Sequence, residues 1–210
     1  MIEKENLTSI PLLKIVSIFD EVEKLNLVDW NAMNLSTTGD NGQPSSRIVL
    51  LKKISEDGLF FYTNYNSKKG QDISRNPKVA LNFWWREIKK QIRIEGTINK
   101  TSDEESDRYF DSRPLKSRVS AIISDQSSKI DSYEELSEKI ENYLKEKEES
   151  SVKRPLHCGM YVVLPKTIEF WEERPNRTHE RLKFELTSKE TSEFILLEIN
   201  CFAFCLVISR

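Results

Sequence analysis

The sequence predicts a mainly β, α+β protein in which an antiparallel barrel or sandwich of short strands carries peripheral helices. Turn signals at 39–42 and 57–58 separate short apolar segments, as in β-hairpins. Segment 91–98 alternates isoleucines with polar residues, which is typical of a half-buried strand. The sequence has neither regular strand–helix alternation nor a GxGxxG segment or P-loop, which disfavours a doubly wound nucleotide-binding fold.

The individual elements are predicted in chain order from start signals, periodicity and turns. A helix begins near Ser9 and Pro11, because apolar residues then recur at helical spacing. Another helix opens with Ser132 and Glu135 at capping-box spacing. Strands are predicted at 32–37, 46–54, 59–63, 79–84, 91–98, 159–164, 167–171, 181–186 and near 194–199, and helices also at 102–112 and 132–147.

Composition limits the function classes. A chain of 210 residues can form one domain with a sizeable core, and a net charge of −2 gives no reason to expect a nucleic-acid partner. The N-terminus shows no signal-peptide pattern, and the apolar segment 194–208 is too short for a membrane span and is interrupted by Glu198 and Asn200. Cys158, Cys201 and Cys205 lack metal-ligand spacing, so we expect no metal site. An odd number of cysteines without a disulfide framework fits a reducing compartment, so we expect a cytoplasmic location.

Two segments carry cations suited to phosphate. An apolar strand is bracketed by Arg47 and Lys52, which are either strand ends in water or phosphate ligands at a barrel rim. Ser67, Lys68 and Lys69 precede a predicted helix, and helix N-termini favour anions. Lysine pairs are common on loops, so this second pattern is weak when taken alone.

Further polar side chains have the chemistry of a binding site. Tyr109, Arg113 and Ser117 are spaced four apart, and together they could hold a phosphate monoester where two helices meet. The alternative is an ordinary capped helix end. Gln91 and the loop 126–128 offer amide and hydroxyl groups suited to the edge of a heterocycle, although each alone could be a surface residue.

Segment 177–181 holds two arginines and a histidine, six positions after Trp171. In an extended chain Arg177, His179 and Arg181 would point to one face, where they would repel each other unless an anion faced them. The pattern alone is equally compatible with a solvated basic edge strand.

The order of these motifs resembles the pyridoxamine 5′-phosphate oxidase family. The similarity runs from about residue 29 to residue 181 and includes Gln91 and Trp171. The matching segments are Arg-Ile-Val-Leu-Leu-Lys at 47–52, Phe-Tyr-Thr-Asn at 61–64, Ser-Lys-Lys at 67–69, Tyr-Phe-Asp-Ser-Arg-Pro at 109–114, Gln-Ser-Ser at 126–128 and Arg-Thr-His-Glu-Arg at 177–181.

The resemblance implies an FMN-binding split barrel, which is an antiparallel Greek-key barrel with flanking helices, working as a homodimer with FMN at the subunit interface. It implies oxidation of pyridoxamine or pyridoxine 5′-phosphate by O2 to pyridoxal 5′-phosphate with release of H2O2, a reaction of vitamin B6 metabolism. The residues implied to contact FMN are Arg47, Ile48, Val49, Leu50, Lys52, Tyr62, Thr63, Lys68, Lys69, Gln91, Gln126, Ser127, Trp171 and Arg181.

The resemblance also implies a substrate site. Arg177 and His179 would be the catalytic residues, lying over the substrate ring opposite the flavin, with Arg177 positioning the reacting carbon. Two alternatives remain, namely a split-barrel flavin oxidoreductase with another substrate and a non-catalytic protein that binds FMN or pyridoxal phosphate. The residues implied to bind substrate are Lys52, Tyr109, Arg113, Ser117, Arg177 and His179.

The chain departs from the family pattern at two places. Lys68 stands where the family typically has arginine, and lysine lacks the bidentate fork, so FMN affinity is expected to be somewhat lower. The C-terminus lacks the family's tryptophan-containing strand and Arg-Leu-x-Pro tail. We therefore expect a helical segment at 1–28, the split-barrel domain at 29–199 and an atypical apolar tail at 200–210.

Overall fold

The computed structural model describes residues 2–5, 7–186 and 192–196, with the side chains of 186 and 192–196 excepted. The helices are α1 Ile10–Glu23, α2 Lys68–Arg75, α3 Asp103–Asp111, α4 Leu115–Ile123 and α5 Tyr133–Glu146. The strands are β1 Glu3–Lys4, β2 Ala32–Thr38, β3 Pro44–Ser55, β4 Gly58–Asn64, β5 Lys78–Trp85, β6 Lys90–Lys100, β7 Cys158–Glu172, β8 Glu180–Leu186 and β9 Ser192–Leu196.

Six antiparallel strands close into a barrel. The strands β3, β2, β5, β6 and β7 pair in that order, and β4 closes the ring because it pairs with both β3 and β7. The predicted antiparallel barrel with flanking helices is confirmed. Strand β1 pairs in parallel with β3, and β8 and β9 extend the sheet beyond β7.

The prediction of two separate strands at 159–164 and 167–171 is wrong, because β7 is one strand of 15 residues. Pro165 lies between the two predicted strands, and proline cannot donate to a strand ladder. It is tolerated because the pairing of β6 with β7 changes register between Glu95 and Gly96, and Pro165 pairs with Gly96 at this bulge. The first part of β7 pairs with β4 and the last part pairs with β8.

The remaining strand and helix predictions agree with the structure to within a few residues. The exceptions are β1, which was not predicted, and the residues beyond 196, which lie outside the described part of the chain. The predicted end of the last strand at 197–199 and the apolar tail at 200–210 are among these residues. Ser132 caps α5 as expected, accepting a hydrogen bond from the Glu135 N–H at 3.0 Å.

The main core fills the barrel and the groove beneath α1. Phe19 of α1 is fully buried, and its ring centre lies 5.2 to 5.8 Å from those of Trp30, Phe83 and Trp85. Truncation of such a side chain to alanine costs about 3 to 5 kcal/mol. Helix α1 therefore shares the core of the barrel, while the predicted domain boundaries at 28/29 and 199/200 stay predictions.

A second, smaller core lies among α3, α4 and α5, which follow one another between β6 and β7. It contains Phe110, Val119, Ile140 and Val152, and the Tyr62 ring of β4 packs against it. This packing holds α4 beside the ends of β4 and β7. No helix in the described part of the chain is both long and apolar enough to cross a membrane.

Candidate functional site

A buried ammonium group marks the start of α2. Ser67 caps this helix, and Lys69 in its first turn is only 8% exposed. The Lys69 Nζ donates to Ser67 Oγ at 2.9 Å and to Gln126 Oε1 at 3.0 Å. Burial, assisted by the positive charge of Arg47, lowers the pKa of Lys69 to about 8. The charged form is therefore poorly stabilised here unless an anion joins it.

Arg47 lies on β3 and faces the same region. Its guanidinium donates to the Leu35 carbonyl at 3.2 Å, to Thr37 Oγ1 at 2.8 Å and to Ser45 Oγ at 2.6 Å. These contacts fix its orientation. Burial lowers the pKa of Arg47, and the charge of Asp72 opposes that shift.

Asp72 is the counter-charge of this cluster and is 4% exposed. It accepts hydrogen bonds from Thr37 Oγ1 at 2.8 Å, from Ser45 Oγ at 3.3 Å and from Lys68 Nζ at 2.8 Å, and lies 4.0 Å from Arg47. Burial alone would raise the pKa of Asp72, but the hydrogen bonds from Lys68 and Thr37 outweigh it and hold the pKa below its usual value.

The charges of this cluster suit a phosphate monoester. The cluster contains three cations, Arg47, Lys68 and Lys69, and one carboxylate, Asp72, which leaves about two positive charges near neutral pH. A phosphate monoester carries about −1.5 to −2 at that pH. The N-terminus of α2 adds its own preference for an anion.

The loop 126–128 closes over the start of α2. The Lys68 backbone N–H donates to Ser127 Oγ at 3.3 Å, and Gln126 accepts from Lys69. Ser127 has φ 76°, a left-handed conformation that is uncommon for a residue other than glycine. The structure thus brings Gln126 and Ser127 together with the predicted phosphate ligands.

A cavity of about 290 Å³ lies next to this cluster, between β4, the start of β7 and α4. The Tyr62 hydroxyl is buried and has no hydrogen-bond partner within the described residues. Burial raises the pKa of Tyr62, and the Arg113 guanidinium lies 5.2 Å from its ring centre. The lining residues are Tyr62, Thr63, Asn64, Arg113, Ser120, Ala121, Ser124, Gln126 and Cys158.

A second cavity, of about 180 Å³, is lined by Lys52 and Tyr109 among others. The Lys52 Nζ lies 5.9 Å from the centre of the Tyr109 ring, which lies 5.0 Å from that of Tyr62. The structure therefore places Tyr109 and Arg113 beside the Tyr62 ring, and Lys52 beside the Tyr109 ring. Ser117, in the first turn of α4, is not among the residues lining either cavity.

Three other predicted flavin contacts form a row across the outer face of β6, β7 and β8. Gln91 pairs with Trp171, which pairs with Arg181. The Trp171 ring lies 5.7 Å from that of Trp84 and 4.7 Å from that of His179. We call the row of Gln91, Trp171 and Arg181 the aromatic platform.

The alternation predicted for segment 177–181 is wrong for Arg177 and His179, because β8 begins only at Glu180. Arg177 ends a short 3-10 turn, Pro175–Arg177, and has φ 60°, next to Asn176 with φ 58°. Residues held in this region cost about 1 to 3 kcal/mol each and concentrate at binding sites. The turn leaves Arg177 exposed and places His179 against Trp171.

We call Arg47, Lys68, Lys69 and Asp72 the α2 cluster. Tyr62, which shares a cavity with Gln126, the partner of Lys69, lies at the opposite end of β7 from the aromatic platform. Tyr62 pairs with Met160 near the start of β7, and Trp171 lies eleven positions further along. At about 3.3 Å per residue this separates them by up to roughly 35 Å along the strand.

The other predicted cofactor residues occupy the outer part of β3 and the end of β4. Ile48 is 63% exposed, Val49 and Leu50 are half-buried, and Thr63 is buried.

Sequence reasoning missed Asp72 and Glu169, the buried acids beside Arg47 and Arg181. For Asp72 the spacing of four residues from Lys68 within a helix was an available signal.

Two family models match the chain. The model described as pyridoxamine 5′-phosphate oxidase matches residues 19–145, and that of the pyridoxine 5′-phosphate oxidase C-terminal dimerisation region matches residues 159–194. A pyridoxine/pyridoxamine 5′-phosphate oxidase from a Nostoc species is 42% identical over 87% of this chain and 86% of its own length. A protein of the same name from Burkholderia lata is 49% identical over 79% of this chain and 77% of its own length.

Solved structures share the fold at lower identity. PhzG from Burkholderia lata, in complex with tetrahydrophenazine-1-carboxylic acid, has a TM-score of 0.84 and 23% identity, covering 92% of this chain and 94% of its own. A pyridoxamine 5′-phosphate oxidase-related, FMN-binding protein from Nostoc punctiforme has a TM-score of 0.73 and 17% identity, covering 90% and 99%.

Proposed function

The chain belongs to the pyridoxamine 5′-phosphate oxidase family, and from this premise we propose that it oxidises pyridoxamine or pyridoxine 5′-phosphate to pyridoxal 5′-phosphate. FMN is the proposed cofactor and would supply the hydride acceptor for oxidation at the C4′ carbon of the substrate. O2 is the proposed final electron acceptor and is reduced to H2O2. With the amine substrate, water replaces the nitrogen, which leaves as ammonia.

The observation that carries the proposal is the cationic cluster at α2. Arg47, Lys68 and Lys69 converge with the helix N-terminus, and the lowered pKa of Lys69 marks a positive site in need of an anion. We assign to it the FMN phosphate. Lys69 and Arg47 hold the phosphate by charge, while the Gln126 and Ser127 loop covers it.

The second phosphate, that of the substrate, is assigned to the residues around the Tyr62 and Tyr109 rings. Lys52 supplies one charge beside Tyr109, Arg113 supplies a second beside Tyr62, and Ser117 follows on α4. The unpartnered Tyr62 hydroxyl supports this assignment, because buried polar groups are normally hydrogen-bonded. A bound ligand can supply its missing partner.

Arg177 and His179 are proposed to act on the substrate ring. Arg177 lies exposed in a left-handed turn, from which its side chain can lie over a bound ring. The His179 ring lies against Trp171, and its Nδ1 accepts a hydrogen bond from the Arg174 N–H at 3.3 Å. That bond orients the ring and leaves Nε2 for the substrate. Holding the ring over the flavin is the work assigned to these residues.

A homodimer is proposed because the aromatic platform lies far along β7 from the α2 cluster. A second copy could bring its Trp171 and Arg181 to the α2 cluster of the first, giving two composite sites. The match of residues 159–194 to a dimerisation region supports this arrangement, since it includes both residues. The proposed location of the dimer is the cytoplasm.

The experiment that tests the activity uses the purified full chain. The protein is stripped of flavin and titrated with FMN, and the visible spectrum is recorded. Pyridoxamine or pyridoxine 5′-phosphate is then added in air, and pyridoxal 5′-phosphate and H2O2 are measured. Both products are expected in equal amounts. Bound flavin without turnover would favour a binding protein or another substrate, and failure to bind FMN would refute the proposal.

The composite site is tested by mixing two inactive variants. Lys69→Met subunits and Arg181→Ala subunits are unfolded together, refolded and assayed. Each hybrid dimer should contain one site with neither substitution and one site with both. It should therefore show about half the activity of a wild-type dimer. If each subunit carried a complete site, no activity above that of the separate variants would appear. Refolding each variant alone provides the control.

A further inference from the structure

Glu169 of β7 carries a carboxylate that the proposed mechanism does not use. The residue is 9% exposed. Its Oε1 accepts hydrogen bonds from Arg181 Nη2 at 2.8 Å, from Arg181 Nε at 3.2 Å and from Arg93 Nη1 at 3.3 Å. A buried carboxylate oxygen shared by two arginines is a specific arrangement, because charged groups are seldom buried without such partners.

The strand register puts these groups on the face of the aromatic platform. Arg93 pairs with Glu169, two residues from the Gln91–Trp171 pair, and Glu169 lies diagonally across from Arg181. Side chains two residues apart on a strand point to the same face. Glu169 therefore lies among Gln91, Trp171 and Arg181, the three predicted flavin contacts of the platform.

We infer that Glu169 is a positioning residue that fixes the guanidinium of Arg181 for contact with the flavin. This inference rests on the proposed FMN site. Arginine has five N–H donors in a planar fork. Glu169 takes the donor of Nε and one donor of Nη2, which leaves both Nη1 donors and the second Nη2 donor for a ligand. The same carboxylate reduces the repulsion between Arg93 and Arg181.

The sign of the effect separates positioning from simple charge. FMN is an anion, so a purely electrostatic role for Glu169 predicts that removing its charge strengthens FMN binding. A positioning role predicts weaker binding when the acceptor is lost, and near-normal binding when a neutral acceptor remains. Under the electrostatic explanation both Glu169→Ala and Glu169→Gln should bind FMN more tightly than wild type. Under the positioning explanation Glu169→Ala should bind FMN more weakly and Glu169→Gln nearly normally.

The first experiment titrates flavin-free protein with FMN and follows flavin fluorescence. Glu169→Ala should bind FMN about ten- to a hundredfold more weakly, the usual effect of losing hydrogen bonds to a charged group. Glu169→Gln should stay within about threefold of wild type, because its amide oxygen still accepts from Arg181. Glu95→Gln, an exposed acid on the same face of β6, serves as the matched control and should bind normally.

The second experiment is a double-mutant cycle with Arg181→Ala. If Glu169 acts through Arg181, the Glu169→Gln and Glu169→Ala changes should not weaken FMN binding further in the Arg181→Ala background. Additive losses would overturn the inference, as would tighter binding by Glu169→Ala. Thermal unfolding of each variant shows whether it is folded. If Glu169→Ala is not, Glu169→Leu, which removes the acceptor but keeps most of the side-chain volume, replaces it in the cycle. A wild type that binds no FMN would instead refute the proposed function.

Discussion

Lys69→Met should make the flavin-free protein more stable and FMN binding weaker. Lys69 is 8% exposed, and burial together with Arg47 lowers its pKa from 10.5 to about 8. A depressed lysine pKa means that folding disfavours the charged form. The native state is destabilised by this group below pH 8, and it recovers that stability as the pH rises towards 10.5.

The size of the effect follows from two terms. The lowering of the Lys69 pKa from 10.5 to about 8, at 1.36 kcal/mol per unit, costs roughly 3 kcal/mol at pH 7. Methionine removes that cost but also removes hydrogen bonds to Ser67 and Gln126, worth about 1 kcal/mol each. The net gain is about 1 kcal/mol, or roughly 2 to 4 °C in Tm for a chain of this size. The gain should vanish at about pH 9 and become a loss at higher pH, because the cost of the charge disappears towards pH 10.5 while the two hydrogen bonds are lost at every pH.

FMN affinity should change with pH in the wild type. If the bound phosphate returns the pKa of Lys69 to its ordinary value, the dissociation constant should rise about tenfold between pH 7 and pH 9, because FMN must then recharge the lysine. Fluorescence titrations at the two pH values measure this ratio. Lys69→Met should bind FMN more weakly at pH 7 and lose most of the pH dependence.

Lys68→Met is the matched control, since it removes the neighbouring ammonium, which is exposed and paired with Asp72. It should weaken FMN binding, but the dissociation constant should still rise about tenfold between pH 7 and pH 9. A wild-type dissociation constant that is equal at both pH values, or a Lys69→Met protein with lower Tm at pH 7, would refute the reasoning.

Three further outcomes are expected. Arg177→Ala and His179→Ala should each lower kcat while the FMN dissociation constant stays unchanged; equal loss of FMN in both would contradict their assignment to the substrate. Tyr62→Phe should stabilise the flavin-free protein by about 1 kcal/mol in thermal unfolding, because it removes a buried hydroxyl without a partner in the described residues, whereas a lower Tm would contradict this. Cys158 is 2% exposed and burial raises its pKa to about 11, so peptide mass spectrometry should find it alkylated at pH 8 only after unfolding; rapid alkylation in the native protein would contradict its burial.

The barrel strands could be predicted because each carries its own local signal. The turn at 39–42 and the alternating isoleucines at 91–98 depend only on neighbouring residues. Closure of the barrel depends on β4 pairing with β7, about one hundred positions later in the chain. No local pattern encodes that pairing, so the sequence patterns alone did not decide between a barrel and a sandwich.

The candidate site shows the same division. Lys68, Lys69 and Arg47 could be selected because adjacent cations stand out in sequence. The burial of Asp72 and Glu169 could not be predicted, because an acid in a helix or strand usually faces solvent. The spacing of Asp72 from Lys68 indicates an ion pair but not a buried one. Their burial is decided by tertiary contacts, with Thr37 and Ser45 for Asp72 and with Arg93 and Arg181 for Glu169.

The position of β7 in the chain has a consequence for biosynthesis. β7 supplies the second hydrogen-bonding partner of both β4 and β6, but it begins only at Cys158, after three helices. While the ribosome makes the first 157 residues, both strands carry an open edge, and such edges can pair with other chains. Long-range pairing of this kind also folds slowly. The nascent chain should therefore be most prone to aggregation just before β7 emerges, and chaperones that shield strand edges would act in that interval.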